Sequence, residues 1–413
     1  MFRIAAPAGS VLIAGAGPAG LTLGIELLRR GVPCRVIEAL HAPVTTSRAF
    51  TVHARTLELF EMMGIVDPFL EQGLRGISMD YRFRDARQVV RLDFTTLDSK
   101  YPCFRIISQT DTEQILREHF LRLGGVIDWH TELRAVTVED GAVAATLFDI
   151  ADQRTETVQP DWLIGCDGAH SVVRRLIGAG FPGTRDHGSV MWMTDASLTG
   201  RPGEAGRVCY DIGADHMLLT TQLPNGTWRV LVSGAGDTDS VDTSPEAFQK
   251  ILDQHFDGTV ILEDPQWTSV FQVSRHLSAT YRKGPILLCG DAAHLQAPVG
   301  GQGMNVAIQD AVNLGWKLAA VATRAVGPAL LDTYEQERRP ICEKVITDTD
   351  ELHSVILNHG VPLTERLAKT QEPGFLDRAV RNISGIAYRY RDATTASLLR
   401  GLGLGDRAPD VEA

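Results

Sequence analysis

The chain has 413 residues, 44% of them hydrophobic and 22% charged, with a formal net charge of −11. That length exceeds what one small core serves and predicts two domains. The acidic balance excludes nucleic acid or an anionic membrane as the main partner, because both demand basic surface.

The six cysteines are scattered singly, with no C-x-x-C pair and no Cys/His ligand cluster. No metal is therefore expected, and the thiols read as reduced, in a cytoplasmic protein. The opening "MFRIAAPAGSVLIAGAG" is broken by Pro7, Gly9 and Ser10 and runs straight into a glycine motif, so it reads as a strand and not as a targeting segment. No apolar run is long enough to span a bilayer.

"VLIAGAGPAGLTLGIELLRRGVPCRVIEA" is a βαβ unit. Val11 to Ala14 form a short apolar strand, followed by Gly15, Gly17 and Gly20 at G-x-G-x-x-G spacing. Gly15 permits the tight turn, Gly17 lets a pyrophosphate approach the backbone, and Gly20 lets the helix pack on the strand. Pro18 and Ala19 complete the helix start, Leu21, Ile25 and Leu28 supply its apolar face, and Gly31 ends it. The second strand closes on Glu38, followed by Ala39. A carboxylate there accepts hydrogen bonds from ribose hydroxyls and repels a 2′-phosphate, so the resident nucleotide is expected to be FAD or NAD.

Further on, "DWLIGCDGAHSVVRRLIG" reads as a buried strand, a sharp turn at Asp167 and Gly168, and a short helix capped by Ser171. Residues 181–275 then alternate apolar and polar positions between Gly/Pro/Asn turns, the pattern of an antiparallel meander, joined by 76–102. Met191, Trp192, Met193, Tyr210, Met217 and Trp228 give this stretch a soft aromatic character that suits a large flat ligand and equally suits a core. Trp192, Tyr210 and Trp228 are the candidate substrate contacts. Tyr210, His216 and His276 are the groups that could act as a general base, but each reads as a wall or packing residue, so the sequence identifies no catalytic group.

"GPILLCGDAAHLQAPVGGQGMN" brings another strand to Gly290 and Asp291, with a structural role expected for His294. A helix is predicted from about Asn305 to Ala325. Its free N–H groups and positive dipole end would face whatever lies against the glycines. Asp291 can accept hydrogen bonds from a sugar or ribityl chain. Residues 346–400 are helical by period and are expected to brace both domains.

In this order and at these separations, "GAGPAG", "CDGAHSVVR" and "GDAAHLQAPVGGQGMN" resemble the class A FAD-dependent aromatic hydroxylases of the p-hydroxybenzoate hydroxylase type. Within that group, "SRAFTVHARTLELFEMMG", "DAVNLGWKLAAV" and "LLDTYEQERRP" resemble the bacterial aromatic-polyketide hydroxylases. With the patterning above, the resemblance implies an α/β fold, α+β overall. A Rossmann-like FAD-binding domain with a mostly parallel sheet would occupy 1–75, 103–180 and 276–345. An antiparallel substrate-binding sheet would occupy 76–102 and 181–275, and C-terminal helices 346–413, without the thioredoxin-like domain of such relatives.

The resemblance also implies roles. Asp167 and Gly168 would serve FAD and NAD(P)H, Asp291 the ribityl chain, and Pro298 the flavin N5 side. Gly301, Gly303, Met304 and Asn305 would contact the pyrimidine edge, with Arg48 and Gln109 touching the cofactor. The implied activity is an FAD-dependent monooxygenase that hydroxylates a polycyclic, polyketide-derived aromatic through a flavin C4a-hydroperoxide. NADPH or NADH would be the transient electron donor and O₂ the oxidant. Baeyer–Villiger oxygenation, epoxidation or reduction on the same fold are the alternatives. A halogenase lacks its W-x-W-x-I-P element here, and a non-catalytic binding protein of the Rab GDP-dissociation-inhibitor kind would not need "APVGGQGMN".

Overall fold

The computed structural model describes residues 10–46, 48–200, 202–213, 216–236, 238–357 and 361–390. The predicted tail text from 391 onward lies outside the described residues.

The nucleotide-type core is a six-stranded sheet in the order Arg282–Lys283, Ile286–Leu288, Trp162–Gly165, Val11–Ala14, Cys34–Ile37 and Ile127–Asp128. All its pairings are parallel except the hairpin at 282–287. Every residue from Val11 to Ala14 is buried, as the unbroken apolar run required. Helix Pro18–Leu28 crosses from the first strand to the second and packs on helix Gly303–Ala322. A Cβ on Gly315 would stand 2.4 Å from the Glu26 Cβ, so glycine sets the closeness of that pair. Glu26 is buried at the contact and is neutralised by Arg29 at 2.8 Å and Arg30 at 2.5 Å. The predicted helix at 305–325 begins two residues earlier, with Gln302 as its cap.

An eight-stranded sheet forms the second layer, in the order His294–Leu295, Ile261–Leu277, Gly183–Thr199, Trp228–Ala235, His216–Gln222, Arg207–Ile212, Ser78–Phe83 and Gln88–Asp93. It is antiparallel apart from the parallel pair 78–83/207–212. Its back is covered by helix Pro245–Phe256, whose Phe248, Ile251 and Leu252 join Val190, Trp192, Leu218, Val230 and Val232. Its front faces the nucleotide-type core across a cleft.

Helix Asp332–Leu357 spans both regions. Ile341, Cys342 and Val345 sit in the core beneath the parallel sheet, while Leu352 joins the cluster on the front of the large sheet with Leu367, Val380 and Ile383. No described helix is long and apolar enough to cross a membrane.

Candidate functional site

The space between the two sheets is a cleft of about 960 Å³, at the top of the size range for ligand sites. One wall is built by the three glycine-bearing motifs and the other by the large sheet.

In the first motif the glycines divide by purpose. Gly15 has φ +105°, and a Cβ on it would stand 2.3 Å from the Cys166 carbonyl oxygen. A Cβ on Gly20 would stand 2.0 Å from the Gly15 oxygen. Both are required by the chain's packing on itself and lie under the turn. Gly17 is different: nothing lies within 4 Å of its missing Cβ, and it lines the cleft beside Pro18 and Ala19. The N-terminus of helix Pro18–Leu28 has no side-chain cap, so its orphan N–H groups point into that space.

Glu38 lines the cleft with both oxygens held by main chain, accepting from Ala16 N–H at 2.9 Å and Leu40 N–H at 3.1 Å. The remaining lone pairs are free for ribose hydroxyls. Ala39, expected beside it, is exposed and off the wall, because successive residues leaving a strand point opposite ways; Leu40 takes its place.

Asp167 also sits differently from its expected cofactor contact. Its carboxylate accepts the Val172 and Val173 N–H groups at 2.6 and 3.0 Å and the Ser171 hydroxyl at 2.5 Å, capping helix Val172–Leu176. The cleft wall here is Gly168, Ala169 and His170. Arg174 donates to the Ala169 carbonyl at 2.7 Å and to the Ala292 carbonyl at 2.8 Å, tying this turn to the third motif.

Gly290, at φ +64°, is wedged between Ala307 and Ala19, whose Cβ atoms would stand 3.0 and 3.1 Å from its own. That turn presents Asp291 to the cleft. Its side chain is exposed to the cleft, but the protein crowded around it raises the Asp291 carboxyl above the ordinary range, and His294 and Arg48 pull the other way. Arg48 lines the cleft with its guanidinium 4.9 Å from the Phe271 ring centre. Gln109 lines it from the first turn of helix Gln109–Arg122, donating to Glu113 at 2.7 Å.

Pro298, Gly301, Gly303 and Met304 follow on the same wall. Asn305 does not reach it. Its amide accepts from His53 N–H at 2.8 Å and donates to the Thr51 and Gly301 carbonyls at 2.9 Å each. His53, unremarked in the sequence, donates from Nε2 to the Gly300 carbonyl at 2.7 Å, and burial pushes its imidazole down to about 4. The glycine loop is thus pinned from behind by a neutral histidine and an asparagine.

The opposite wall is apolar: Met79, Met191, Met193, Met217, Leu219, Leu231 and Val273, with Tyr210 among them. Tyr210 stacks on Tyr81 with ring centres 4.5 Å apart, and burial holds its hydroxyl protonated, well above the ordinary phenol range. Two of the three expected aromatic contacts are elsewhere. Trp192 is packed on the back of the sheet under helix Pro245–Phe256, and Trp228 shares that back-facing parity with Val230 and Val232. Strand alternation sends Met191 and Met193 to the cleft and Trp192 away from it. His216 meets the edge of Trp192, while His276 lines the cleft with Nδ1 donating to the Phe181 carbonyl at 3.0 Å.

Behind the third motif lies a buried charge cluster. Asp310 receives His294 Nε2 at 2.6 Å, Arg338 Nε at 2.6 Å and, more weakly, Gly290 N–H at 3.4 Å. His294, Asp310 and Cys342 have ligand atoms within 4.8 Å of one another, but the guanidinium on Asp310 opposes a metal cation there.

Residues 9–349 match the FAD binding domain family. Pentachlorophenol 4-monooxygenase of Sphingobium chlorophenolicum is 38% identical over 410 residues, covering 98% of this chain and 76% of that protein. 6-Methylpretetramide 4-monooxygenase of Streptomyces rimosus is 35% identical, covering 97% and 72%. Among solved structures, the anhydrotetracycline hydroxylase OxyS of Streptomyces rimosus superposes with a TM-score of 0.82 at 31% identity, over 97% of this chain and 80% of that one.

Proposed function

The chain belongs to the FAD binding domain family and is an FAD-dependent monooxygenase of the aromatic-hydroxylase type, and on that footing we propose how its cleft divides the work. The adenosine ribose lies on Glu38, the pyrophosphate over Gly17 at the helix N-terminus, and the ribityl chain at Asp291. The ring system lies along Pro298 to Met304, flanked by Arg48 and Gln109. When bound, FAD supplies two-electron uptake from NAD(P)H and activation of dioxygen.

The substrate is an uncharged, extended aromatic with a phenolic hydroxyl, held under the methionine wall. The observation that carries this reading is the division of charge. Glu38, Arg174 and Asp291 stand on the motif side of the cleft and Arg48 lies over Phe271, whereas the five sheet strands that carry Met79, Met191, Tyr210, Met217 and Leu231 present thioethers, aliphatics and the one phenol; Gln272, Ser274 and His276 line the cleft only from strand Ile261–Leu277. An ionised substrate would find no partner on those five strands, and a flat apolar one excludes water from them. Tyr210, protonated throughout the working pH range, donates a hydrogen bond to a substrate oxygen and takes no proton from it. The relatives that act on pentachlorophenol and 6-methylpretetramide support an aromatic substrate class. NAD(P)H docks transiently, and the acidic chain with its unpaired cysteines works in the cytoplasm.

The test is direct. The purified protein should carry a flavin spectrum, oxidise NAD(P)H faster when polycyclic or halogenated phenols are added, and place one atom of labelled dioxygen in a hydroxylated product. A ring-expanded ester would instead select Baeyer–Villiger chemistry, and stimulation by benzoates but not phenols would refute the uncharged-substrate reading.

Gly303 gives a sharper probe of the ring position than Gly301. Gly301 has φ +65°, and its Cβ would stand 2.2 Å from Thr51 Oγ1, so any side chain there disturbs the loop itself. Gly303 has only Gln296 Nε2 nearby, at 3.8 Å. Gly303→Val should leave the flavin-free unfolding free energy within about 1 kcal/mol of the parent while weakening FAD about tenfold or more. Unchanged FAD affinity, read by quenching of flavin fluorescence, would remove the ring from this segment.

A further inference from the structure

Five of the chain's eight methionines line the one cleft: Met79, Met191, Met193, Met217 and Met304. They come from three strands and a helix start, so no single local pattern collects them. On the front face, register places Met191 and Met217 on either side of Ser233 in three adjacent strands. Met193 is the next front-facing residue on its strand, opposite Leu231. Tyr81 donates to the Met79 sulfur at 4.0 Å.

A thioether is a soft, adaptable filler, which explains methionine in such a wall. It is also the most readily oxidised side chain in an otherwise aliphatic surface.

We propose that these cleft methionines are a modification site, oxidised to the sulfoxide from within when the enzyme turns over without substrate. The inference rests on the function proposed above. With the cleft empty of substrate, the hydride of NAD(P)H, as two electrons and one proton, and a second proton from solvent reduce dioxygen to hydrogen peroxide, with NAD(P)⁺ as the other product. A sulfur lone pair then attacks one peroxide oxygen; the O–O bond breaks, an S–O bond forms, and the second oxygen leaves as water. The sulfur loses two electrons and the peroxide gains them. Each event turns an apolar contact into a strong hydrogen-bond acceptor, so the wall loses affinity for an apolar aromatic. The sulfurs are almost enclosed by the wall itself, and a bound substrate closes the narrow approach that remains and consumes the oxygen.

The chain contains its own control. Met62 is 64% exposed on helix Ala54–Met63, whereas Met79, Met191 and Met193 are each 1% exposed and Met217 is 2%. Peroxide supplied from bulk solvent must find Met62 first. Oxidant formed inside must find the cleft first.

The experiment is peptide mass spectrometry on the FAD-loaded enzyme. One arm is given NAD(P)H and air with catalase to remove escaped peroxide, one the same with a turned-over phenol, and one hydrogen peroxide alone. The first arm should add single oxygen atoms to the cleft methionines ahead of Met62, with loss of phenol-stimulated turnover. The second should suppress this severalfold, and the third should reverse the order. NAD(P)H consumption with the cleft methionines unoxidised, or with Met62 oxidised first, overturns the proposal while leaving the function intact. A protein that keeps no flavin or consumes no NAD(P)H overturns the function and this inference together.

Discussion

Gly17→Val should give a protein that folds and melts close to the parent yet no longer retains FAD. The reason lies in what surrounds the three glycines of the first motif. At Gly15 and Gly20 an added Cβ meets backbone at 2.3 and 2.0 Å, so substitution there breaks the strand–helix packing before any ligand is considered. At Gly17 the backbone is extended, at φ −77° and ψ −174°, and the missing Cβ would meet nothing. Valine is a poor helix cap, which costs at most about 1 kcal/mol. Its branched side chain, however, fills the space over the uncapped N–H groups. A pyrophosphate displaced from them loses two or more charge-assisted hydrogen bonds, each about 1.5–3 kcal/mol. The expected loss is a hundredfold or more in Kd, by the relation of about 1.4 kcal/mol per tenfold. Flavin titration of the unfolded-and-refolded apoprotein, alongside its Tm, checks both halves. Parent-like FAD binding would mean that no phosphate lies over this turn.

That separation of roles marks the boundary of what the sequence reveals. Spacing identified the turn at Gly15 to Gly20, the acid at Glu38 and the Gly290–Asp291 turn, because each is a local device whose residues lie within one strand–turn–helix. The same locality leaves the role of Asp167 undecided in the text. A carboxylate just before a short helix can cap it or face a ligand, and the text "CDGAHSVV" is identical in either case; the Ser171 hydroxyl and two backbone N–H groups take it. The alternation of residues 190–194 was legible as a strand, but not which parity would be covered by helix Pro245–Phe256. Large aromatics suggested a ligand wall, and the fold used Trp192 and Trp228 behind the sheet and methionines in front. The pinning of the glycine loop by His53 and Asn305 joins residues some 250 positions apart, at 2.8 Å, and nothing local announces it.

The buried cluster at Asp310 is illegible for the same reason, and it carries the largest stability effect. His294 opens the edge strand His294–Leu295, Asp310 lies inside one helix and Arg338 inside another, so three elements depend on one carboxylate. Burial pushes the Asp310 carboxyl up, but Arg338 and His294 outweigh it and hold it below the ordinary range. For His294, burial pulls the imidazole down, and the Cys342 sulfur and Asp310 outweigh that, raising it well above an ordinary imidazole. Asp310→Asn leaves two buried cations without a counter-charge, which should cost about 3–5 kcal/mol. Because Asp310 also receives the Gly290 N–H, the variant should loosen the turn that presents Asp291.

His294→Gln keeps a donor toward Asp310 and serves as the pH probe. A raised folded-state imidazole contributes stability that is complete below its unfolded value of about 6.5 and is lost as pH rises through the folded value. A lowered carboxyl contributes stability present above about 3.9 and lost as pH falls. The parent's advantage over His294→Gln should therefore be widest between about pH 4 and 6.5 and narrow as pH rises beyond that. Denaturant unfolding at three pH values measures that gap. A gap constant into the alkaline range would mean that His294 is neutral in the folded protein, and that Arg338 alone balances the charge behind the Gly290–Asp291 turn.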